Sequence, residues 1–366
     1  MLRYLTLFFL LTIVTVRPQA QPMGQQTENV FIITLDGMRW QELYGGAVDS
    51  LMTDPEYVKD TAQLLALFDA PTPEERRKKL MPWFWSTLAQ TGQLYGNRWL
   101  GNKVDVTNFF WFSYPGYNEI LTGYSDPRIN SNSKIWNPNV TVLEWINRKP
   151  EYNGRVAAFG SWDVFPFIIN EERSGIPVNA GFELAEGNGL SSRELFLNEL
   201  QPTVPSPWGG VRLDAFTHNY ALEFIKKRHP KVVFISYGET DDFAHDGRYD
   251  HYLKSAYHTD QWIGALWSYI QSDPYYAGKT TLLITTDHGR GTSPKSEWKS
   301  HGKTFEGSNA IWMAAIGPDT PPLGEIAGPG QHWQNQVAKT AAAFLGLDYS
   351  NEQETGAVIG EMFNKR

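Results

Sequence analysis

The sequence predicts an α/β protein with a mostly parallel central sheet and helices on both faces. Short apolar runs rich in β-branched residues alternate along the chain with longer stretches of helical periodicity. Parallel strands covered on both faces have this continuous apolar character, and the helices between them return the chain to the same edge of the sheet. Ligand-binding side chains are therefore expected at the carboxyl ends of the strands.

Five segments have the composition of buried strands, namely residues 30–35, 156–159, 232–236, 281–285 and 311–316. Helical spacing of apolar residues is clearest at 80–91, 216–228, 252–271 and 334–345. The last of these stops at Gly346, a residue type that commonly follows a helix C-terminus. The order of these segments predicts alternating strands and helices.

Residues 49–79 are first acidic and then basic, with the run EERRKK, and predict a helical insertion near the active edge of the sheet. Such a charge run is more typical of a solvated helix face than of a binding patch. No internal repeat or domain linker interrupts the remaining chain. We therefore expect one catalytic α/β domain over residues 28–366.

The composition excludes a general nucleic-acid binder. The 366 residues carry a net charge of -8, with a pI near 5.5, so no stable nucleic-acid partner is expected. The sequence leaves the oligomeric state open.

The N-terminus predicts export. A short basic start, an apolar run from Leu5 to Val16 and a small residue at Ala20 are typical of a signal peptide, here over residues 1–20. The run is too short to span a bilayer comfortably, so the mature form is expected to have no transmembrane segment. Arg17 and Pro18 make the cleavage site imperfect, and an uncleaved anchor is the alternative. The chain has no cysteine, which excludes disulfides and lipid attachment and suits a secreted or periplasmic bacterial protein.

Six side chains of types that commonly bind metals follow predicted strands or lie in the loop after the fourth predicted strand. They are Asp36, Asp241, His245, Asp287, His288 and His301. Each alone has an ordinary interpretation as a helix cap, a surface residue or a loop histidine. Together they predict a site for two divalent cations, because six such coincidences in one chain are far less probable than one.

Ser113 provides a hydroxyl for such a site. It precedes Pro115 and a predicted helix over residues 116–121, so it is expected at a helix N-terminus, where free N–H groups favour an anion. An ordinary capping serine is the alternative. Metal coordination could lower the pKa of the hydroxyl and make it a nucleophile.

These motifs resemble the alkaline phosphatase superfamily, and most closely its nucleotide pyrophosphatase/phosphodiesterase-like branch. The resemblance runs from Val30 to about Leu347. It consists of a strand-end Asp at Asp36, a nucleophile two residues before a Pro at Ser113, the D-x-x-x-H spacing from Asp241, a strand followed by DHG at Asp287, and a late His-Gly at His301.

The resemblance implies an alkaline phosphatase-like fold and two zinc ions, with manganese as the second choice. One zinc would be held by Asp241, His245 and His301, and the other by Asp36, Asp287, His288 and the Ser113 oxygen. The implied reaction is attack by Ser113 on the phosphorus of a small phosphorylated substrate. The resulting phosphoserine is then hydrolysed. A non-catalytic metal- or phosphate-binding relative and a phosphotransferase or phosphomutase are the alternative functions.

Two departures from the family concern the substrate. An Asn after the nucleophile binds a phosphoryl oxygen in this family, and Asn130 and Asn132 are both candidates. Phosphomonoesterases of a related branch carry a Lys and an Arg after the next strand, where this chain has Trp162 and Asp163. This difference favours diesters, although Lys134 or Arg128 could supply a charge.

Sulfatases also belong to the superfamily and share the S-x-P spacing. They require an Arg where this chain has Tyr117, so sulfatase chemistry is not expected. The aromatic residues around Ser113 could stack on a base or an aryl group, but such a cluster is more often part of the core.

Overall fold

A computed structural model describes residues 24–364 and shows two β-sheets joined by helices. The strands are β1 (Asn29–Leu35), β2 (Gln93–Tyr95), β3 (Asn102–Asp105), β4 (Val156–Gly160), β5 (Val178–Ala180), β6 (Val232–Tyr237), β7 (Thr280–Thr285), β8 (Ala310–Ile311), β9 (Met313–Ile316), β10 (Gly324–Glu325) and β11 (Gly330–Trp333). The α-helices are α1 (Trp40–Gly45), α2 (Asp49–Met52), α3 (Thr61–Phe68), α4 (Pro73–Leu80), α5 (Ala89–Thr91), α6 (Ser113–Thr122), α7 (Val142–Asn147), α8 (Phe165–Ile169), α9 (Glu171–Ser174), α10 (Ser192–Leu200), α11 (Asp214–Arg228), α12 (Glu239–His245), α13 (Tyr249–Ser272) and α14 (Val337–Phe344).

The larger sheet has eight strands in the order β10-β2-β9-β7-β1-β6-β4-β5. Its strand pairs are parallel except for the two that involve β9, which runs antiparallel to β2 and β7. The smaller sheet has the order β11-β3-β8. The prediction of a mostly parallel sheet is confirmed.

Helices cover both faces of the larger sheet, as predicted. Phe31, Ile33 and Leu35 of β1 point into a core that includes residues of α1, α3, α11 and α13. Val30 and Ile32 point into a second core with residues of α6, α7, α8 and α14. Both faces of β1 are buried, which explains its predominantly apolar sequence.

Two predicted segments differ from the structure. The strand predicted at 311–316 is split at Trp312, whose buried indole donates a hydrogen bond of 2.9 Å to the Met38 carbonyl. The chain changes sheets at this residue, and β9 is antiparallel rather than parallel.

The helix predicted at 80–91 is also interrupted. Pro82 disfavours a helical conformation at the residue before it, so α4 ends at Leu80 and a short π-helix at Phe84–Leu88 follows. The Asp260 carboxylate accepts the Trp83 and Phe84 N–H groups at 2.8 and 2.9 Å. These bonds satisfy the donors that the interruption leaves unpaired.

The predicted insertion at 49–79 is helical and contains α2, α3 and most of α4. Asp54 forms an ion pair with Lys295, and Glu56 lies 3.6 Å from Lys299, in the segment that leads to His301. The insertion therefore packs near the active edge, as predicted.

Within residues 24–364, no helix combines the length and apolar character needed to cross a membrane. The predicted signal peptide over residues 1–20 lies outside the described residues.

Gly116 allows α6 to pack directly against the segment that follows β7. A Cβ at this position would lie 2.4 Å from the Asp287 carbonyl oxygen, in a backbone that cannot easily yield. We predict that Gly116→Ala lowers the free energy of unfolding by about 1–3 kcal/mol, despite the higher helix propensity of alanine. Urea denaturation measures the change through the transition midpoint.

Gly209→Ala is the matched control, because a Cβ there would have no atom within 4 Å. Its free energy of unfolding should stay within about 0.5 kcal/mol of the wild type. If Gly116→Ala is as stable as the wild type or more stable, the close approach of α6 to the Asp287 backbone is contradicted.

Candidate metal centre

Three adjacent parallel strands bring the predicted ligands to one edge of the sheet. Asp36 follows β1 directly, and Asp287 and His288 follow its neighbour β7. On the other side of β1, β6 leads into α12, where Asp241 and His245 are four residues apart and share one helix face. His301 comes from the loop after β7. Segments far apart in sequence thus meet because their strands are neighbours.

The inner group consists of Asp36, Asp287 and His288, all of which are buried. The His288 Nε2 atom lies 3.4 Å from Asp36 Oδ1 and 3.3 Å from Asp287 Oδ2. His288 Nδ1 is 2.9 Å from the Gly289 carbonyl, which can only accept, so Nδ1 carries the proton and Nε2 a lone pair. Neither Asp36 Oδ1 nor Asp287 Oδ2 has a hydrogen-bond partner. Three electron-pair donors therefore face one point.

The outer group consists of Asp241, His245 and His301. His245 Nε2 lies 3.2 Å from Asp241 Oδ2 and 2.9 Å from His301 Nε2. The Nδ1 atom of His301 lies 3.3 Å from the Trp111 carbonyl, which leaves Nε2 directed at the other ligands. His288 connects the groups, since its Nε2 is also 3.8 Å from Asp241 Oδ1. The structure thus brings all six predicted ligands together.

Each of the three carboxylates has one oxygen that is bound by a group outside the six ligands. Asp36 Oδ2 accepts a hydrogen bond of 2.8 Å from the Tyr117 hydroxyl. Asp287 Oδ1 accepts one of 3.0 Å from the Gly37 N–H. Asp241 Oδ1 is bound by Arg290, while its Oδ2 faces His245.

The charges at this edge are only partly compensated. Burial, and then the charge of Asp241, raise the pKa of Asp36 well above its usual value, and burial with the charge of Asp36 does the same for Asp287. Burial also acts to raise the pKa of Asp241, but Arg290, His245 and His301 hold it well below its usual value. Burial, with the neighbouring His288, lowers the pKa of the His301 imidazole.

This donor set fits divalent cations. Imidazoles whose Nε2 atoms face the cluster and carboxylates with unpaired oxygens are metal ligands, and a mixture of the two suits zinc, with manganese second. Two cations would also remove the repulsion among the buried carboxylates.

Ser113 is the first residue of α6 and therefore lies at a helix N-terminus, as predicted. Its Oγ atom lies 3.4 Å from His288 Nε2 and therefore adjoins the inner group. The residue before the helix, Phe112, provides no capping side chain. The Tyr114 N–H is bound by Asn132 and the Gly116 N–H by the Phe112 carbonyl, and Pro115 has none, so the helix contributes its dipole beside the hydroxyl.

The two candidate asparagines occupy different environments. Asn132 Oδ1 accepts a hydrogen bond of 3.0 Å from the N–H of Tyr114, the residue after Ser113. Both side chains are exposed, but the Asn130 amide reaches only the Pro127 carbonyl at 3.5 Å. Asn132 therefore lies beside the first turn of α6, next to Ser113, and Asn130 lies in a turn.

Sequence reasoning missed the roles of Tyr117 and Arg290 beside the ligands. Tyr117 is four residues after Ser113, so helical spacing alone places both on one face of α6. Its hydroxyl also accepts a hydrogen bond of 2.9 Å from Ser236. Arg290 directly follows the DHG motif, but only the folded loop shows that its guanidinium turns back to Asp241.

The aromatic residues around Ser113 divide between core and surface. Tyr114 and Tyr117 are buried, as the core interpretation predicts, whereas Phe109 is 69% exposed. Phe110 and Phe112 are partly buried and contact each other at 5.8 Å between ring centroids.

By sequence, no family model and no curated protein matches this chain. Several solved structures resemble it in fold. Alkaline phosphatase PafA is 10% identical, with a TM-score of 0.56 over 93% of this chain and 99% of that one. The lipoteichoic acid synthase LtaP from Listeria monocytogenes is 13% identical, with a TM-score of 0.57 over 90% and 74% of the two chains. Murine ectonucleotide pyrophosphatase / phosphodiesterase 5, an inactive variant in complex with AMP, is 12% identical, with a TM-score of 0.53 over 92% and 100%. The chain therefore has the fold of the alkaline phosphatase superfamily, which its motifs resemble.

Proposed function

We propose that this protein is an exported, metal-dependent hydrolase of phosphoric esters that uses Ser113 as its nucleophile and two zinc ions. The observation that carries the proposal is the position of Ser113 Oγ, 3.4 Å from a histidine nitrogen that also faces two unpaired, buried carboxylate oxygens. Proteins of this fold include an alkaline phosphatase and a phosphonate monoester hydrolase, which supports a general hydrolase role.

The inner group and Ser113 would hold one zinc, and the outer group would hold the other. Bound zinc lowers the pKa of a coordinated hydroxyl and stabilises negative charge on phosphoryl oxygens. The outer group includes His245, whose side chain is 46% exposed, so this side of the centre is open to substrate and water.

The chain's own residues account for the covalent steps. The Ser113 Oγ atom forms a bond to phosphorus as the bond to the leaving oxygen breaks. The serine proton passes to solvent, and the leaving alkoxide gains a proton from water. Water then adds to phosphorus and displaces Ser113 Oγ, which restores the hydroxyl. The dipole of α6 would favour the anionic phosphoserine, and the Asn132 amide nitrogen would donate to a phosphoryl oxygen.

The surroundings of the centre support a preference for diesters. The two cations that could bind a dianionic monoester are both paired with carboxylates. Lys134 lies 2.7 Å from Asp163, and Arg128 lies 2.6 Å from Asp126. A diester carries one negative charge fewer and needs no such partner. The predicted signal peptide supports a periplasmic or secreted location in a bacterium.

Activity should depend on metal and favour diesters. Purified protein is assayed with bis(p-nitrophenyl) phosphate and p-nitrophenyl phosphate before and after chelation. We expect chelation to abolish both activities and zinc to restore them, with the higher kcat/KM for the diester. Activity that persists in protein shown to be metal-free would refute the proposal. A faster monoester reaction would refute only the substrate preference.

Ser113→Ala should lower kcat by about a thousandfold or more, because the covalent route is lost. Zinc should remain bound, since the three other ligands of the inner group are intact. Acid quenching during turnover, followed by mass spectrometry, should find a phosphoryl group on Ser113 in the wild type. The matched control is Ser125→Ala, at an exposed serine just beyond α6, which should retain full activity. Wild-type activity in Ser113→Ala would show that another group attacks phosphorus.

Asn132→Ala should reduce kcat/KM about 10- to 100-fold, the effect of losing one hydrogen bond to a charged group. Asn130→Ala is the control and should match the wild type, because its side chain serves a turn. Steady-state kinetics with the diester measure both. Equal losses in the two variants would contradict the assignment of Asn132.

A further inference from the structure

Arg290 has a fully engaged guanidinium in the interior of the protein. The residue is 1% exposed, and its Nη1 atom bonds to Asp241 Oδ1. Its Nε donates a hydrogen bond of 2.9 Å to the Trp298 carbonyl, and its Nη2 donates one of 2.7 Å to the Lys299 carbonyl. One planar side chain thus joins α12 to the loop after β7.

Both ends of this connection lead to ligands of the outer group. Asp241 is itself a ligand, and the two carbonyls lie two and three residues before His301. The third ligand, His245, is on the same helix as Asp241. Arg290 is therefore placed to fix His301 relative to the two ligands on α12.

The chain leaves room for Arg290 at the end of β1. Gly37 has a φ of +57°, and a Cβ there would lie 2.5 Å from Arg290 Nη1 and 2.8 Å from Asp241 Oδ1. A residue with a side chain would strain the backbone and displace the ion pair. Gly37 thus serves the turn after Asp36 and also the contact between Arg290 and Asp241.

Building on the proposed function, we propose that Arg290 is a positioning residue for the outer zinc. By binding Oδ1, it fixes the orientation of the Asp241 carboxylate, and by binding the two carbonyls it holds His301 within reach of the same point. Groups that orient metal ligands in this way typically affect metal affinity 10- to 100-fold. The positive charge of Arg290 repels a cation and would by itself weaken zinc binding. Removal of the residue should therefore weaken zinc binding if orientation of the ligands dominates, and strengthen it if charge dominates.

The test measures zinc affinity directly. Metal-free protein is titrated with zinc against a chromophoric chelator, for the wild type, Arg290→Lys and Arg290→Met. A lysine keeps the charge, but its single ammonium cannot span Asp241 and both carbonyls. We expect two zinc ions per chain throughout, with the weaker site losing about 10- to 100-fold in affinity in both variants and the stronger site unchanged.

Arg212→Met is the matched control. Arg212 is also fully buried and hydrogen-bonded to carbonyls, those of Asn179 and Glu183, at 2.9 and 3.2 Å. Its loss should leave both zinc affinities unchanged. Near-UV circular dichroism verifies that each protein titrated is folded. Should Arg290→Met not fold, Arg290→Ala with added methylguanidinium replaces it, and the additive should restore zinc affinity.

The outcomes separate this inference from the proposed function. Tighter zinc binding by Arg290→Met, or wild-type affinity in Arg290→Lys, would show that charge alone matters and would overturn the positioning role. If the wild type binds fewer than two zinc ions, the proposed function fails instead.

Discussion

The structure depends on the convergence of three carboxylates at the carboxyl ends of β7, β1 and β6. Buried carboxylates repel one another and lose their hydration, at a cost of several kcal/mol for each uncompensated ion. The protein compensates one oxygen of each, through Tyr117, Gly37 and Arg290. The second oxygens remain for a cation. A sheet edge of this kind contributes little to stability alone, which supports the proposed metal centre.

The segment before Ser113 is held by contacts that also reach His301. Trp111 has a φ of +55°, which costs a non-glycine residue about 1–3 kcal/mol. Asn108 holds this conformation by accepting the Phe110 and Trp111 N–H groups at 3.1 and 2.9 Å, and Glu119 on α6 in turn accepts from Asn108. The Trp111 carbonyl lies beside His301 Nδ1. Backbone strain next to Ser113 thus orients a ligand of the outer group.

The sequence predicted the parts of the site that strand order controls. A parallel sheet brings Asp36, Asp287 and His288 to one edge, because each follows a β-branched run. Asp241 and His245 are four residues apart, so a single helical turn places them on one face. The remainder depends on loop conformation. Nothing in the spacing chooses between Asn130 and Asn132, because the choice rests on which amide meets the Tyr114 N–H. The same holds for Arg290, whose side chain turns back across its own loop, and for Trp312, where one buried indole determines the change of sheet.

The two ligand groups are unequal in burial, and this difference has consequences for chemistry. The side chain of His288 is fully buried, whereas that of His245 is 46% exposed. Asp36 and the pair Asp287–His288 follow neighbouring strands, so a metal bound there would join β1 to β7 beside Ser113. The outer group depends on α12 and a loop, and it adjoins solvent.

In-line displacement requires the leaving oxygen and the incoming water to use the side opposite Ser113. Under the proposed function, the outer group lies on that side. The inner group must then hold Ser113 precisely, and the outer group must admit water and release the leaving group. Arg290 would serve the outer group, because its bonds to Asp241 and to the Trp298 and Lys299 carbonyls connect α12 to the loop that carries His301.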